Sequence, residues 1–475
     1  MTSRASFYSS LVWMIVLNVL IKPVWIFGID RQVQNHVGVE QYGTYFSLFN
    51  LSVVFAFLLD WGLTTYVNRQ LAMQTPAGSA APSSLLLAKL LFSVLYAAIV
   101  SIAAWITNVQ HWDIVLYVIL IQVLYSFLLF LRAVITAKQF FKIDAWLSVI
   151  DKSLMLIIAG ALLYIPSFNG VLTIAVFAWI QAACLAVASF IAMICIWQKG
   201  LLHHLRLSGL PSINTFRQAF PFALVVLLMS LHSRIDAFLL ELINSNGAYE
   251  TGLYAGAYRL LDAANMVGAL TSAFLLPYIV KKWSNKEDIN DVILSGRHFL
   301  VMLAVGLATI AFFMGDRIQT LLYHHSDEKS VEVLQWCLPA LIGYAITHIY
   351  GTVLTATGHI RLFCLIVSVA ALLNIVLNLL LIPRYGAIGC CLSALCSQGM
   401  GCIGVMYFAC QKMVLKVHFR SVLVYIFTAI LLSVVLYLGI AWSVNQFLLV
   451  GFAGFLTLLI MFFTGMINAR KWISR

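Results

Sequence analysis

Val39-Glu40-Gln41-Tyr42-Gly43-Thr44-Tyr45 enters a long apolar run, and Ala248-Tyr249-Glu250-Thr251-Gly252-Leu253-Tyr254 enters another. Each follows an apolar segment that carries a cation, Lys22 in the first case and Arg234 in the second. The Gly-x-Tyr pairs stand 209 residues apart (252 − 43), nearly half of the 475-residue chain. Self-similarity at so long an offset points to two related lobes and fixes the architecture before any local reading. The two stretches read as hairpin corners at corresponding places in those lobes. A second echo, Ala133-Val134-Ile135-Thr136-Ala137 before Lys142 and Thr352-Val353-Leu354-Thr355-Ala356 before Arg361, has an offset of 219 (352 − 133).

Working outward, 63% of the residues are hydrophobic and 9% are charged. Soluble domains hold roughly 45–50% and 25%, so the chain reads as all-α and polytopic in a membrane. A span needs about 20 apolar residues. On that rule fourteen transmembrane helices are predicted, at 7–29, 42–68, 84–107, 113–136, 147–165, 171–197, 217–242, 250–280, 297–315, 333–356, 361–382, 386–410, 420–442 and 446–468. The organisation expected is two pseudo-symmetric six-helix lobes plus two C-terminal helices. These are an N-lobe over 1–198, a cytoplasmic linker over 199–216, a C-lobe over 217–411 and the last pair over 412–475. Six helices per half make the halves parallel repeats about an axis along the membrane normal.

The 28 Lys and Arg stand singly between apolar stretches, as topogenic charges do, and give no sign of nucleic-acid binding. With the N-terminus inside, inner loops and helix ends hold nineteen, Arg297 among them, and outer loops hold only Arg31, Arg317, Lys329 and Arg384. Both termini are therefore expected on the cytoplasmic side. The first apolar run reads as a retained span rather than a signal peptide. The nine Cys read as small buried hydrophobes. His324-His325 with Asp327 and Glu328 reads as a solvated outer loop, and neither metal nor cofactor is expected. Phosphate-loop and His-Glu-x-x-His motifs are absent, so an energy source would be an ion or substrate gradient or the membrane potential.

Ionisable groups within the bilayer cost about 2.5–3.5 kcal/mol each and usually face a wet interior. Counting about 1.5 Å per residue from Asp30 back to Lys22, from Asn244 back to Asp236 and Arg234, and from Gly252 on to Arg259 and Asp262 puts these groups about 12 Å below the outer face. Pro23, next to Lys22, can bend that helix. Asp60, Lys89, Asp151 and Lys152, with Arg132, form a second set nearer the inner face. The candidate substrate-binding residues are Lys22, Arg234 and Arg259. The candidate ion-coupling or charge-pairing residues are Asp236, Asp262 and Asp60. Arginine offers phosphate a planar fork of donors, and lysine offers a point charge.

Tyr42-Gly43-Thr44-Tyr45, then Asp60-Trp61-Gly62-Leu63 and Asn68-Arg69, resembles the opening of the Wzx-type polysaccharide flippases. These form the polysaccharide branch of the multidrug/oligosaccharidyl-lipid/polysaccharide exporter superfamily. Ile235-Asp236, Gly252-x-Tyr254, Leu260 and Pro277 are similar to that family's second-lobe opening. Thr355-Ala356-Thr357-Gly358, Asn374, Asn378 and Ile382-Pro383-x-x-Gly386-x-x-Gly389 are similar to its later helices. The resemblance implies a flippase, not an enzyme, with two lobes around a cationic cavity in a bacterial inner membrane. It would carry a polyprenyl-diphosphate-linked oligosaccharide, such as an O-antigen, capsule or exopolysaccharide repeat unit, from inner to outer leaflet by alternating access. Its partners would be that lipid-linked oligosaccharide and membrane lipids, with a glycan polymerase and a chain-length regulator in the same membrane. The alternatives are a cation-coupled multidrug exporter, a lipid-linked peptidoglycan precursor flippase or a membrane glycan polymerase or ligase; short outer loops weigh against the last.

Overall fold

The computed structural model describes residues 4–61, 64, 82–138, 140–165, 170–201, 213–324, 326–413, 415 and 419–464, with the side chains of 4–12, 15, 82–85, 213–219, 221–222 and 419 left aside. Gly62, Leu63, Asn68, Arg69, Arg206, His325, Lys416, Arg470, Lys471, Arg475 and most of the 199–216 linker lie outside the described residues. The described residues form helices and their connections, with no strand among them. Eighteen α-helices are described: α1 Arg4–Trp25, α2 Arg31–Val37, α3 Val39–Phe55, α4 Phe57–Asp60, α5 Pro82–Ile106, α6 Trp112–Ala137, α7 Phe141–Leu147, α8 Ile150–Tyr164 and α9 Ile174–Gln198, followed by α10 Ile213–Ile243, α11 Gly247–Ser284, α12 Asn290–Leu322, α13 Glu328–Cys337, α14 Ala340–Ala356, α15 Ile360–Tyr385, α16 Ala387–Met413, α17 Phe419–Ala441 and α18 Gln446–Phe463. Thirteen helical stretches among the described residues are long and apolar enough to cross a bilayer. They overlap thirteen of the fourteen predicted spans of a multi-pass membrane protein; the first, 7–29, falls on α1 and is not among them.

Two compact units divide the chain, Met1–Leu242 and Ile243–Arg475. In the first, α6 packs along α9, α3 crosses α6, and α1 lies against α7 and α8. In the second, α15 and α16 form a tight hairpin, α16 packs on α14, and α12 is flanked by α14, α17 and α18. The last two helices belong to this unit through an apolar core of Met314, Leu432, Leu436, Leu449 and Ala453. Large apolar side chains such as Phe427, Ile430, Phe447 and Phe455 stay exposed on those helices, as lipid-facing surfaces require.

Three expectations about corners and depth change. Gly43 and Gly252 are not corners; both lie inside helices, α3 and α11. Glycine in the right-handed region does not break a helix. A corner needs a residue that leaves that region, and in the first unit this is Gly38, at φ +92°. In the second unit the chain turns at Asn244–Asn246. Nor does the first span stop at Ile29. A π-helical turn, Ile26–Asp30, carries α1 into α2, and the residues at both joints, Trp25, Asp30 and Arg31, keep right-handed helical dihedrals. Lys22 then lies about 22 Å from the Val37 end, Arg234 about 14 Å from the end of α10 and Arg259 about 18 Å from the start of α11.

Arg297 also moves. It was counted among inner helix-end charges, but α12 begins at Asn290, so Arg297 sits two turns inside the helix and is 4% exposed.

Candidate functional site

The strongest polar constellation lies inside the first unit and is built by how α1 meets α7 and α8. Leu17 packs into Ala145 and Val149. One residue on, Asn18 donates to Ser148 Oγ at 2.8 Å, at the break between α7 and α8. One turn further along α1, Lys22 comes within electrostatic reach of Asp151, Arg132 and Lys152. Another turn on, the Lys152 ammonium stands 4.2 Å from the centre of the Trp25 ring. The contacts thus advance in step along both helices, and the sequence spacing 18–22–25 against 148–151–152 sets which charges meet.

Within this cluster Arg132 makes a two-pronged bond to Asp144, Nε to Oδ1 at 2.6 Å and Nη2 to Oδ2 at 3.2 Å. Lys152 and Asp151 are 3.4 Å apart. Three cations (Lys22, Arg132, Lys152) face two carboxylates (Asp144, Asp151), leaving one positive charge in excess. Lys152 and Arg132 keep 17% and 20% of their side chains exposed, so a ligand can reach them. Sequence depth had divided these residues between an outer set holding Lys22 and an inner set holding the rest. The structure joins them.

The other candidates are placed as follows. Arg234 on α10 reaches Asn50 of α3 with Nη1 3.4 Å from Oδ1, and Asp236, two residues on, is 2% exposed. Asp60, at the end of α4, accepts from Lys89 at 3.2 Å and from the Thr64 hydroxyl, while Lys89 is 2% exposed. A lone ammonium at that depth would be costly, so Asp60 acts as its counter-charge. Arg259 and Asp262 belong to the second unit, three residues apart on one face of α11, with Arg259 buried.

Sequence reasoning passed over several polar groups. Asp30 served only as a marker of the outer face, yet it is buried and accepts the Tyr42 hydroxyl at 3.1 Å. Tyr45 donates to Gln181 of α9 at 2.8 Å. The tyrosines of the first quoted stretch are therefore buried anchors. Glu241 on α10 interacts with Thr44 of α3. In the second unit, Asn374, Asn378 and Ser397 form a buried chain, Asn378 Nδ2 to Asn374 Oδ1 at 3.1 Å and Asn374 Nδ2 to Ser397 Oγ at 3.4 Å. Glu250 gathers Lys329 and the Ala387 N–H. Its place two residues before Gly252 was visible in sequence, but its partners, 79 and 137 residues away, were not. Among the described residues no cluster of His, Cys, Asp and Glu has the geometry of a metal site.

Solved structures share this architecture. The family of polysaccharide biosynthesis proteins matches residues 9–283, more than half of the chain. The chain belongs to that family. A curated relative, the capsular polysaccharide biosynthesis protein CapF of Staphylococcus aureus, is 22% identical over 218 residues, 45% of this chain. The match spans about half the length of that relative, 54%. Among solved structures, a lipid II flippase MurJ in an inward closed conformation superposes with a TM-score of 0.68, covering 97% of this chain and 100% of that one at 14% identity. An inward-facing multidrug resistance MATE transporter of the MOP superfamily gives 0.62 over 85% of this chain and 98% of its own at 12% identity. At such identities the likeness shows the fold alone.

Proposed function

We propose that the protein moves a lipid-linked oligosaccharide across a membrane, with the diphosphate of the carrier lipid met by the cations of the first unit. The observation that carries this reading is the excess positive charge of the Lys22, Arg132 and Lys152 cluster, held in place by Asp144 and Asp151. A diphosphate is compact, multiply charged and rich in acceptors. A reachable arginine and two lysines in a partly desolvated setting suit it better than they suit a cationic drug. Membership of a polysaccharide biosynthesis family supports a glycan cargo.

On this reading Lys22 and Arg234 in the first unit and Arg259 in the second bind the anionic cargo, and Asp236 and Asp262 orient them or exchange an ion. The lobe scheme proposed is 1–198, a linker over 199–216, 217–411 and a C-terminal pair over 412–475. The membrane proposed is a bacterial inner membrane with both termini cytoplasmic, on the bias of Lys and Arg. A polymerase and a chain-length regulator would work beside it. Transport follows alternating access, in which cargo shifts the balance only as far as it binds one state better than the other. A second reading, a lipid-linked peptidoglycan precursor as cargo, is favoured by the likeness to a lipid II flippase and uses the same diphosphate chemistry.

The test is genetic. In a strain whose only copy carries Arg234→Ala, surface glycan is lost while the variant stays inserted at wild-type abundance. Normal surface glycan in that strain overturns the assignment of Arg234.

A further inference from the structure

Arg297 presents a charge that no described acidic side chain neutralises. Its Nη1 donates to the Tyr350 hydroxyl at 3.0 Å and its Nη2 to Ser421 Oγ at 2.9 Å. Both acceptors are neutral. Its Nε and the neighbouring Tyr425 hydroxyl are buried, and the two side chains interact with each other. Its electrostatic neighbours are Tyr350 and Tyr425. All 17 Asp and Glu side chains of the chain fall within the described residues, and none forms an ion pair with Arg297. A guanidinium cannot shed its proton to escape burial, and an uncompensated buried charge is among the costliest features a fold can carry. No described residue supplies the counter-charge.

The surroundings say what kind. Arg297 stands two turns from the start of α12, Tyr350 two turns from the end of α14, and Ser421 and Tyr425 in the first turns of α17. These helix ends lie together at one end of the second unit. Lys412 closes α16 and Arg420 opens α17 at the same end, both exposed. Beyond them α17 shows a lipid-facing row of Leu423, Ile426, Phe427 and Ile430, each at least half exposed. A cation near a helix end, two hydroxyl donors and an adjoining apolar face together match an anionic lipid, headgroup inward and chains along the helix.

We propose that the α12–α14–α17 corner binds the phosphate of an anionic phospholipid headgroup, with Arg297 as its counter-charge and the hydroxyls of Ser421 and Tyr425 as further donors. Basic pockets between transmembrane helices are established places for such headgroups. The site is separate from the Lys22 cluster and does not depend on the cargo.

The experiment uses the full chain purified in detergent and stripped of lipid, with thermal unfolding followed during titration by phosphatidylglycerol, phosphatidylcholine or inorganic phosphate. Phosphatidylglycerol raises the melting temperature well above the effect of phosphatidylcholine. Arg297→Gln and Arg297→Lys separate the charge from its fork: Gln abolishes the difference, and Lys weakens the apparent affinity about tenfold, the loss of one charge-assisted bond. Arg420→Gln, on the exposed rim, keeps most of it. Should Arg297→Gln fail to fold, Ser421→Ala serves as the second variant and weakens phosphatidylglycerol binding several-fold. An equal shift with inorganic phosphate alone overturns the lipid as the source. Equal shifts with the two lipids, or a full shift in Arg297→Lys and Ser421→Ala, overturn the site.

Discussion

The Oε2 atom of Glu250 accepts the backbone N–H of Ala387 at 2.9 Å, and its Oε1 takes the Lys329 ammonium. One carboxylate in the first turn of α11 thereby closes the start of α16 and ties down the first turn of α13. Glu250 is 5% exposed. It also explains the Ile382-Pro383-x-x-Gly386-x-x-Gly389 turn. Gly386 sits at φ +56°, ψ −129°, and a Cβ there would come within 2.5 Å of Glu250 Oε2. A Cβ on Gly389 would meet the Leu381 carbonyl oxygen at 2.7 Å.

Removing that carboxylate leaves a buried donor unmet, which costs about 1–3 kcal/mol. Glu250→Ala is expected to lower the melting temperature in detergent by several degrees, with Glu250→Gln between it and the wild type. Gly386→Ala is expected to be worse, because both backbone conformation and space are lost. Thermal unfolding of the three variants checks the order.

The Lys89–Asp60 pair makes a prediction of opposite sign for single and double changes. Asp60→Asn strands a buried ammonium, and breaking such a pair costs on the order of 3–5 kcal/mol. Adding Lys89→Met to Asp60→Asn is expected to recover most of the lost stability, because no charge is then left buried. A double-mutant cycle read by thermal unfolding measures this.

Acid sensitivity is expected in the loop ahead of α13. Partial burial pushes the Asp327 carboxyl up, but hydrogen bonds from the Tyr249 hydroxyl and from Ser330 outweigh it and hold the group below the usual carboxylate value. A depressed folded value means that the stabilisation is present above the ordinary carboxylate pKa and is lost as pH falls through the lower folded value. Tyr249→Phe removes one of those bonds and should flatten this part of the acid limb. The pH dependence of melting temperature for wild type and variant shows it.

Most of the helices were legible because a membrane imposes its own period: about 20 apolar residues per crossing can be counted from composition alone. Corners were less so. Gly43 and Gly252 resemble turn residues, yet both are helical, and the positive φ of the corner before α3 belongs to Gly38. Counting from Asp30 sets Lys22 apart from Asp151 and Lys152, which lie about 130 residues away and meet it through the Leu17–Val149 packing. Arg297 looked like one more topogenic charge, because a span beginning at 297 differs from one beginning at 290 only by a polar first turn. Glu250 was in view in the quoted stretch, but its role depends on Lys329 and Ala387.

The most direct test of the central claim is transfer of a polyprenyl-diphosphate-linked oligosaccharide between the leaflets of liposomes containing the purified protein, comparing wild type, Lys22→Ala and Lys22→Arg. Transfer by the wild type, its loss in the alanine variant and its recovery in the arginine variant are the predicted results. Transfer in Lys22→Ala at the wild-type rate would contradict the account.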